Sequence, residues 1–106
     1  MKPHNNLCNA YIVNTNPASH YAGFRITTCL EMADPDGGTF IEPVENGDEY
    51  LDLLYEALDD PFYRVSAKYK SELNRRSRIL ADFYDIKEAS RFIEELTGSP
   101  VDIYSW

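Results

Sequence analysis

The stretch GFRITTCLEM, residues 23–32, alternates between two kinds of side chain, and this alternation decides how the rest of the chain can fold. One series suits a protein core, and the other is mostly polar or small. The first series is Phe24, Ile26, Thr28 and Leu30, and the second is Arg25, Thr27, Cys29 and Glu31. Because successive side chains of a strand point to opposite faces of a sheet, this period of two predicts a β-strand with one buried face.

Two further alternating runs lie downstream, over residues 62–70 and 77–84. Their predicted inward series are Tyr63, Val65, Ala67 and Tyr69, then Ile79, Ala81 and Phe83. The runs predict two strands of a hairpin, joined by a loop over residues 71–75. One long helix beginning after Pro61 is the alternative, but Arg76 interrupts its apolar stripe.

Two helices are predicted on either side of this hairpin. The first opens at Asp48 as N-cap and ends at Asp60, because the residue before a proline is pushed out of the α region. Its apolar face, at helical spacing, is Leu51, Leu54, Tyr55 and Leu58. The second begins with a capping box from Asp85 to Glu88 and ends at Gly98. Its apolar face is Ala89, Phe92, Ile93 and Leu96.

Shorter segments complete the fold prediction. A turn over residues 34–38 precedes a short edge strand over 39–44, and residues 101–104 predict a final strand. From residue 23 onward the order is βαββαβ, which is the ferredoxin-like split βαβ pattern. We therefore expect one α+β domain over residues 1–106, a ferredoxin-like sandwich with an extra N-terminal strand within residues 7–15. Two helices would cover one face of an antiparallel sheet and leave the other face partly open.

Charge is segregated along the chain, whose formal net charge is −8. Residues 26–63 contain eleven carboxylates and no Lys or Arg, whereas residues 64–78 contain six basic residues against one acid, Glu72. The acidic balance argues against sequence-reading DNA binding, which needs Lys and Arg to neutralise phosphates. It favours a basic protein partner, with direct nucleic-acid binding through the Arg64–Arg78 segment as a weaker alternative.

The first predicted helix organises its acids into a stripe. The predicted partner-binding residues on it are Asp48, Glu49, Tyr50, Asp52, Leu53, Glu56, Asp59 and Asp60. Tyr50 and Leu53 lie off the predicted apolar face, so we expect each to be partly exposed as an anchor beside the carboxylates. A secondary set precedes the helix: Asp34, Asp36, Glu42 and Glu45. A merely solvated face on an acidic protein, or partial burial of the two anchors, is the competing interpretation.

Sites for chemistry are poorly supported by the sequence. Neither His4 nor His20 is surrounded by a catalytic motif, and no phosphate-binding loop or zinc-ligand spacing occurs. Residues 34–45 match a calcium-binding EF-hand loop only in part, since Thr39 stands where that loop requires glycine. We therefore expect no enzyme, no catalytic residues, no metal and no cofactor. Cys8 and Cys29 are expected to be buried free thiols.

Location follows from the same kind of negative signal. No apolar run approaches the roughly 18 residues of a membrane span, and residues 1–6 lack the apolar core of a signal peptide. We expect a cytoplasmic protein without membrane contact.

The combination of small size, one α+β domain, strong acidity and a carboxylate stripe over residues 48–60 resembles phage-encoded anti-defence proteins, including anti-CRISPRs and DNA mimics. The likeness covers overall composition and one helix, and no signature residue. It implies that the chain binds the guide- or DNA-contacting surface of a bacterial defence complex and blocks it. The alternative is a structural or assembly subunit that self-associates through its open sheet face, so both a monomer and a homodimer remain open.

Overall fold

The computed structural model describes residues 7–72 and 74–101, which form an α+β structure of five antiparallel strands and two α-helices. The strands are β1 (Asn9–Val13), β2 (Tyr21–Ala33), β3 (Thr39–Pro43), β4 (Phe62–Tyr69) and β5 (Arg78–Phe83). The helices are α1 (Gly47–Glu56) and α2 (Ile86–Thr97), and a 3-10 turn covers Lys70–Glu72. The prediction of a hairpin rather than a long helix after Pro61 is confirmed.

The sheet is built around β2, which has partners along both edges. β4 pairs with one edge, and β1 and β3 lie end to end along the other. Thr28 fills the gap between β1 and β3, where its backbone N–H donates to the carbonyl of Cys8 at 2.8 Å and its carbonyl accepts from Val44 at 2.9 Å. The Thr28 hydroxyl also accepts from the Cys8 N–H at 2.6 Å. This buried threonine therefore keeps the backbone paired where one edge strand replaces another.

The strand order is β1-β2-β4-β5, with β3 also paired to β2. A split βαβ unit places another strand between its two parallel strands. Here β3 and β4 are the two parallel strands, joined through α1, and β2 lies between them and runs antiparallel to both. In the predicted βαβ unit β2 itself was the first strand and β4 the second. Because β2 pairs directly with β4, the ferredoxin-like strand order is not confirmed. The predicted final strand over 101–104 lies outside the described residues except for Val101.

Both helices cover the same face of the sheet, as predicted. The buried series of β2 is the expected one, and Val65 and Ala67 of β4 lie opposite Ile26 and Phe24 on that face. α2 packs over the β4 half of this face, where Ala89 and Ile93 are buried. α1 packs over the other end of β2, where a second cluster consists of Leu7, Leu30, Met32, Val44 and Tyr50. The helix faces of α1 and α2 therefore belong to separate parts of the core.

One predicted strand face changes at a bulge in β5. Val65 pairs with Ala81 but Ser66 pairs with Ile79, so Leu80 is an extra residue in the register. Ile79 therefore moves to the open face and is exposed, whereas Leu80 packs against the core. The prediction that placed Ile79 inward is wrong, because simple alternation contains no signal for the added residue.

Neither helix, in the ranges that the structure describes, combines the length and the apolar character needed to cross a bilayer.

Candidate protein-binding surface

The start of α1 is fixed by Asn46. Its side-chain oxygen accepts a hydrogen bond from the Asp48 N–H at 2.9 Å, and its backbone is extended, as an N-cap requires. The prediction of Asp48 as N-cap is therefore wrong by two residues. Asp48 and Glu49 lie in the first turn, where the helix dipole stabilises negative charge.

The buried face of α1 is rotated relative to the predicted one. Tyr50 is 0% exposed and belongs to the core cluster, against which Leu53, Leu54 and Ala57 pack in part. The expectation that Tyr50 is a partly exposed anchor is wrong, whereas Leu53 keeps some exposure. Of the predicted apolar face only Leu54 packs against the core, because Tyr55 is 89% exposed, Leu58 53% and Leu51 44%.

Two overlapping apolar stripes explain this error. Both have the spacing i, i+3, i+4, i+7, and both contain Leu54. The tertiary partner decides between them: Val44, just before the helix, is fully buried in the same cluster as Tyr50. Val44 precedes the N-cap Asn46 by two residues, so an apolar residue just before the helix favours the stripe that contains Tyr50.

The end of α1 lies earlier than predicted. The helix stops at Glu56, and Ala57 is extended and forms a bridge with Met32 of β2. The Leu58 N–H donates to the Glu31 carbonyl at 2.9 Å, so the chain leaves the helix along the edge of the sheet. Asp59 and Asp60 therefore lie outside the helix. Of the six predicted carboxylates the helix keeps Glu49 in its first turn and three in a row at i, i+4 and i+8: Asp48, Asp52 and Glu56.

The outer face of α1 combines these three carboxylates with exposed apolar groups. Asp48, Asp52 and Glu56 are all exposed, and so are Tyr55 and Leu51. At 100° per residue, Tyr55 lies about 20° from Asp48 and about 140° from the buried Tyr50, so it belongs to the outer side of the helix. Neither ion pair within the described ranges uses an acid of α1. We name these five residues the α1 outer face; Tyr55 and Leu51 are the members that sequence reasoning missed.

The secondary carboxylates are distributed around the same end of the sheet. Asp34 accepts from the Asp36 N–H at 2.9 Å and stabilises the turn between β2 and β3, where Gly37 has a φ of 104°. Glu42 lies opposite Leu30 in the register and is partly buried, whereas Glu45 is exposed just before α1. Ala57, just after α1, bridges to Met32, which precedes Asp34 by two residues. The end of α1 therefore lies close to this turn.

The basic segment pairs with acids outside α1. Arg64 forms a two-bond ion pair with Asp82 at 2.9 and 3.1 Å, and Arg78 forms one with Glu72. The Lys70 ammonium donates to the Asn16 carbonyl at 2.8 Å. Arg64, Lys70 and Arg78 therefore have local partners, and none of these contacts involves an acid of α1.

The two cysteines are free and buried, as predicted. Burial raises the pKa of the Cys8 thiol and of the Cys29 thiol to about 11. Both thiols are therefore protonated at neutral pH, and a protonated thiol is a poor nucleophile. Among the side chains in the described ranges, no three of the His, Cys, Asp and Glu type are placed to hold a metal ion.

Comparisons with known proteins do not supply a relative: no family model matches the chain, and no curated protein or solved structure does. On the α1 outer face, charges of a single sign, exposed apolar side chains and a lack of ion pairing in the described ranges coincide.

Proposed function

We propose that this chain is a small acidic interaction protein that binds a basic protein surface through the α1 outer face and inhibits the protein that carries it. The observation that supports this most is Tyr55, which is 89% exposed among the carboxylates of Asp48, Asp52 and Glu56. An aromatic ring supplies binding energy when a partner covers it, and the surrounding carboxylates select a basic partner.

The arrangement of the acids costs stability that a partner would offset. Carboxylates four residues apart lie about 6 Å apart along the helix axis, and each such pair destabilises a helix by roughly 0.2–0.5 kcal/mol. No Lys or Arg within α1 compensates them, and its last turn contains no basic residue. A regular row of negative charges is also what a nucleic-acid strand presents to the proteins that bind it. We therefore propose a nucleic-acid-binding protein as the class of partner.

The resemblance to phage-encoded anti-defence proteins extends this proposal to an anti-CRISPR-like role in the cytoplasm of a bacterial host. Under it, the α1 outer face would occupy a groove that otherwise contacts guide or target nucleic acid. Asp59, Asp60 and the secondary carboxylates would lie at the rim, where charges mainly raise the rate of association.

A capture experiment tests the proposal. The tagged chain, a D52K/E56K variant and an E88K/E95K control on α2 are incubated with host lysate, and retained proteins are identified by mass spectrometry. We expect a basic nucleic-acid-binding protein that wild type and control retain, that D52K/E56K does not retain, and that salt between about 50 and 500 mM elutes. Equal retention by D52K/E56K would contradict the proposal.

Self-association through the open sheet face is the second candidate. The observation in its favour is that Tyr11, Val13 and Ile79 are all exposed on that face. Sedimentation equilibrium separates the two candidates: a dimer that persists at high salt favours an assembly subunit, and a monomer favours the inhibitor.

A further inference from the structure

A shallow cavity of about 250 Å³ lies on the open face of the sheet, opposite the helices. It is lined by Glu31, Ile41, Phe62, Arg64, Asp82, Phe83 and Tyr84. Small-molecule sites usually measure about 300–1,000 Å³. The volume therefore suits a single side chain better than a cofactor.

The cavity has more negative than positive charge once its internal ion pair is set aside. Arg64 and Asp82 satisfy each other through two hydrogen bonds, so together they are close to neutral. Glu31 has no ion pair within the described ranges. A second carboxylate reaches the rim, because the Tyr84 hydroxyl donates to Asp59 at 3.2 Å. The free charge of the cavity is thus negative.

Aromatic rings form the walls beside these carboxylates. The guanidinium carbon of Arg64 lies 5.5 Å from the centre of the Phe62 ring, so the wall already carries one cation in a cation–π contact. Tyr84 is 67% exposed and has no such partner within the described residues. The hydrogen bond with Asp59, and then the charges of Asp59, Glu31 and Asp60, raise the pKa of Tyr84, as expected where carboxylates surround the ring.

We propose that this cavity receives an arginine side chain of the basic partner, with its guanidinium on the Tyr84 ring and its N–H groups toward Glu31 and Asp59. Arginine fits better than lysine, because its planar group stacks on a ring while it donates to carboxylates in its own plane. This inference rests on the proposed function and specifies one chemical group of the partner. Asp59 follows α1 by three residues, so the chain that leaves α1 reaches the rim of the cavity.

The test uses two capped pentapeptides that contain one central arginine, or its neutral isostere citrulline, between glycines. Each is titrated into the full-length ¹⁵N-labelled chain, and amide shifts are followed by NMR. We expect saturable shifts at Glu31, Phe62 and Tyr84 with the arginine peptide and none with the citrulline peptide. Glu31→Gln should weaken binding roughly twofold to fivefold, as for one exposed ion pair, and Tyr84→Ala by a similar factor from the lost cation–π contact. Glu95→Gln on α2 is the matched control and should leave affinity unchanged.

The outcomes separate this inference from the proposed function. Shifts confined to the α1 outer face would overturn the cavity as the arginine site and leave the proposed function standing. Equal shifts with citrulline, no saturable shifts at the cavity, or wild-type affinity in Glu31→Gln would also overturn it. Well-dispersed spectra of the variants exclude unfolding as the cause of any loss.

Discussion

The two helices of this chain cover the same sheet face but use their outer surfaces differently. α2 has 12 residues, an Asp85 N-cap that accepts from the Lys87 N–H at 2.8 Å, and a left-handed Gly98 at its end. α1 has 10 residues, an Asn46 N-cap, and an end at which the chain turns into an extended bridge with β2. Both are therefore properly started, and α2 also has the usual glycine stop.

The outer faces differ more than the caps. α2 mixes its charges, with Lys87 and Arg91 among Glu88, Glu94 and Glu95, as solubility alone would select. α1 carries acids without a base and leaves Tyr55 in solvent. Acidity of the whole chain therefore does not require every helix to carry charges of a single sign. A helix of the same fold shows the ordinary pattern, which makes the α1 outer face the exception.

The largest effect we predict distinguishes the two tyrosines of α1. Tyr50→Ala should cost about 3–5 kcal/mol in the free energy of unfolding, because it empties a fully buried ring site. Tyr55→Ala should stay within about 0.5 kcal/mol, as for an exposed position. Urea unfolding followed by circular dichroism measures both. Tyr50→Phe is the control and should be nearly neutral, since its hydroxyl has no hydrogen-bond partner among the described residues. Equal costs for the two alanine variants would contradict the rotated helix face.

The next effect concerns the helix ends. Gly98→Ala should destabilise the chain by about 1–2 kcal/mol, because Gly98 has a φ of 73° in the left-handed region. Ala57→Gly, at the corresponding place in α1, should also destabilise, since Ala57 is extended and a glycine there loses more backbone entropy. Thermal unfolding checks both. A gain in stability from Ala57→Gly would show that α1 ends like α2.

The N-caps should behave alike. Asn46→Ala and Asp85→Ala each remove one side-chain acceptor from a first-turn N–H, which costs about 1 kcal/mol. Chemical denaturation of the two variants gives the comparison. Asp48→Ala, at the N-cap that the sequence predicted, should cost less, and an equal loss there would contradict Asn46 as the cap.

The smallest effect tests the like-charge repulsion on α1. Asp52→Asn removes a charge that lies four residues from both Asp48 and Glu56, so stability should rise by a few tenths of a kcal/mol at low salt. Glu95→Gln on α2 likewise removes one charge, but it should lower stability slightly or leave it unchanged. The reason is that Arg91, four residues before Glu95, has the opposite charge. Denaturation midpoints at about 20 mM and 500 mM salt resolve the sign. A loss of stability in Asp52→Asn would show that the Asp52 carboxylate stabilises the fold, which would contradict the repulsion.

The fold followed from the sequence where local patterns agreed with tertiary packing. The alternation over residues 23–32 predicted β2 and its buried face, and Asp85 as N-cap with Gly98 as C-cap bounded α2. Prediction failed where two answers fitted one pattern. The α1 segment contains two apolar stripes, and only the burial of Val44 beside Tyr50 selects one. The bulge at Leu80 and the sheet order depend on pairing across the sheet, which periodicity does not contain.

The candidate site was predicted by charge but not by side-chain direction. The acids of α1 and their exposure were foreseen, since charged residues rarely enter a core. The exposed aromatic side chain of α1 is Tyr55, whereas the prediction expected Tyr50 to be partly exposed, because it placed the apolar face of the helix at the wrong angle. Asp59 was assigned to the helix, whereas it lies beyond it and contacts Tyr84 of a distant strand end.

The most direct measurement of the central claim is the dissociation constant of the purified complex for wild type, D52K/E56K and the E88K/E95K control. The proposal predicts a loss of about 100-fold or more in D52K/E56K, because like charges then face each other across the interface at a cost of several kcal/mol. The control should bind like wild type, and circular dichroism should show all three proteins folded at the assay temperature. An unchanged dissociation constant in D52K/E56K, or an equal loss in the α2 control, would contradict the α1 outer face as the binding surface.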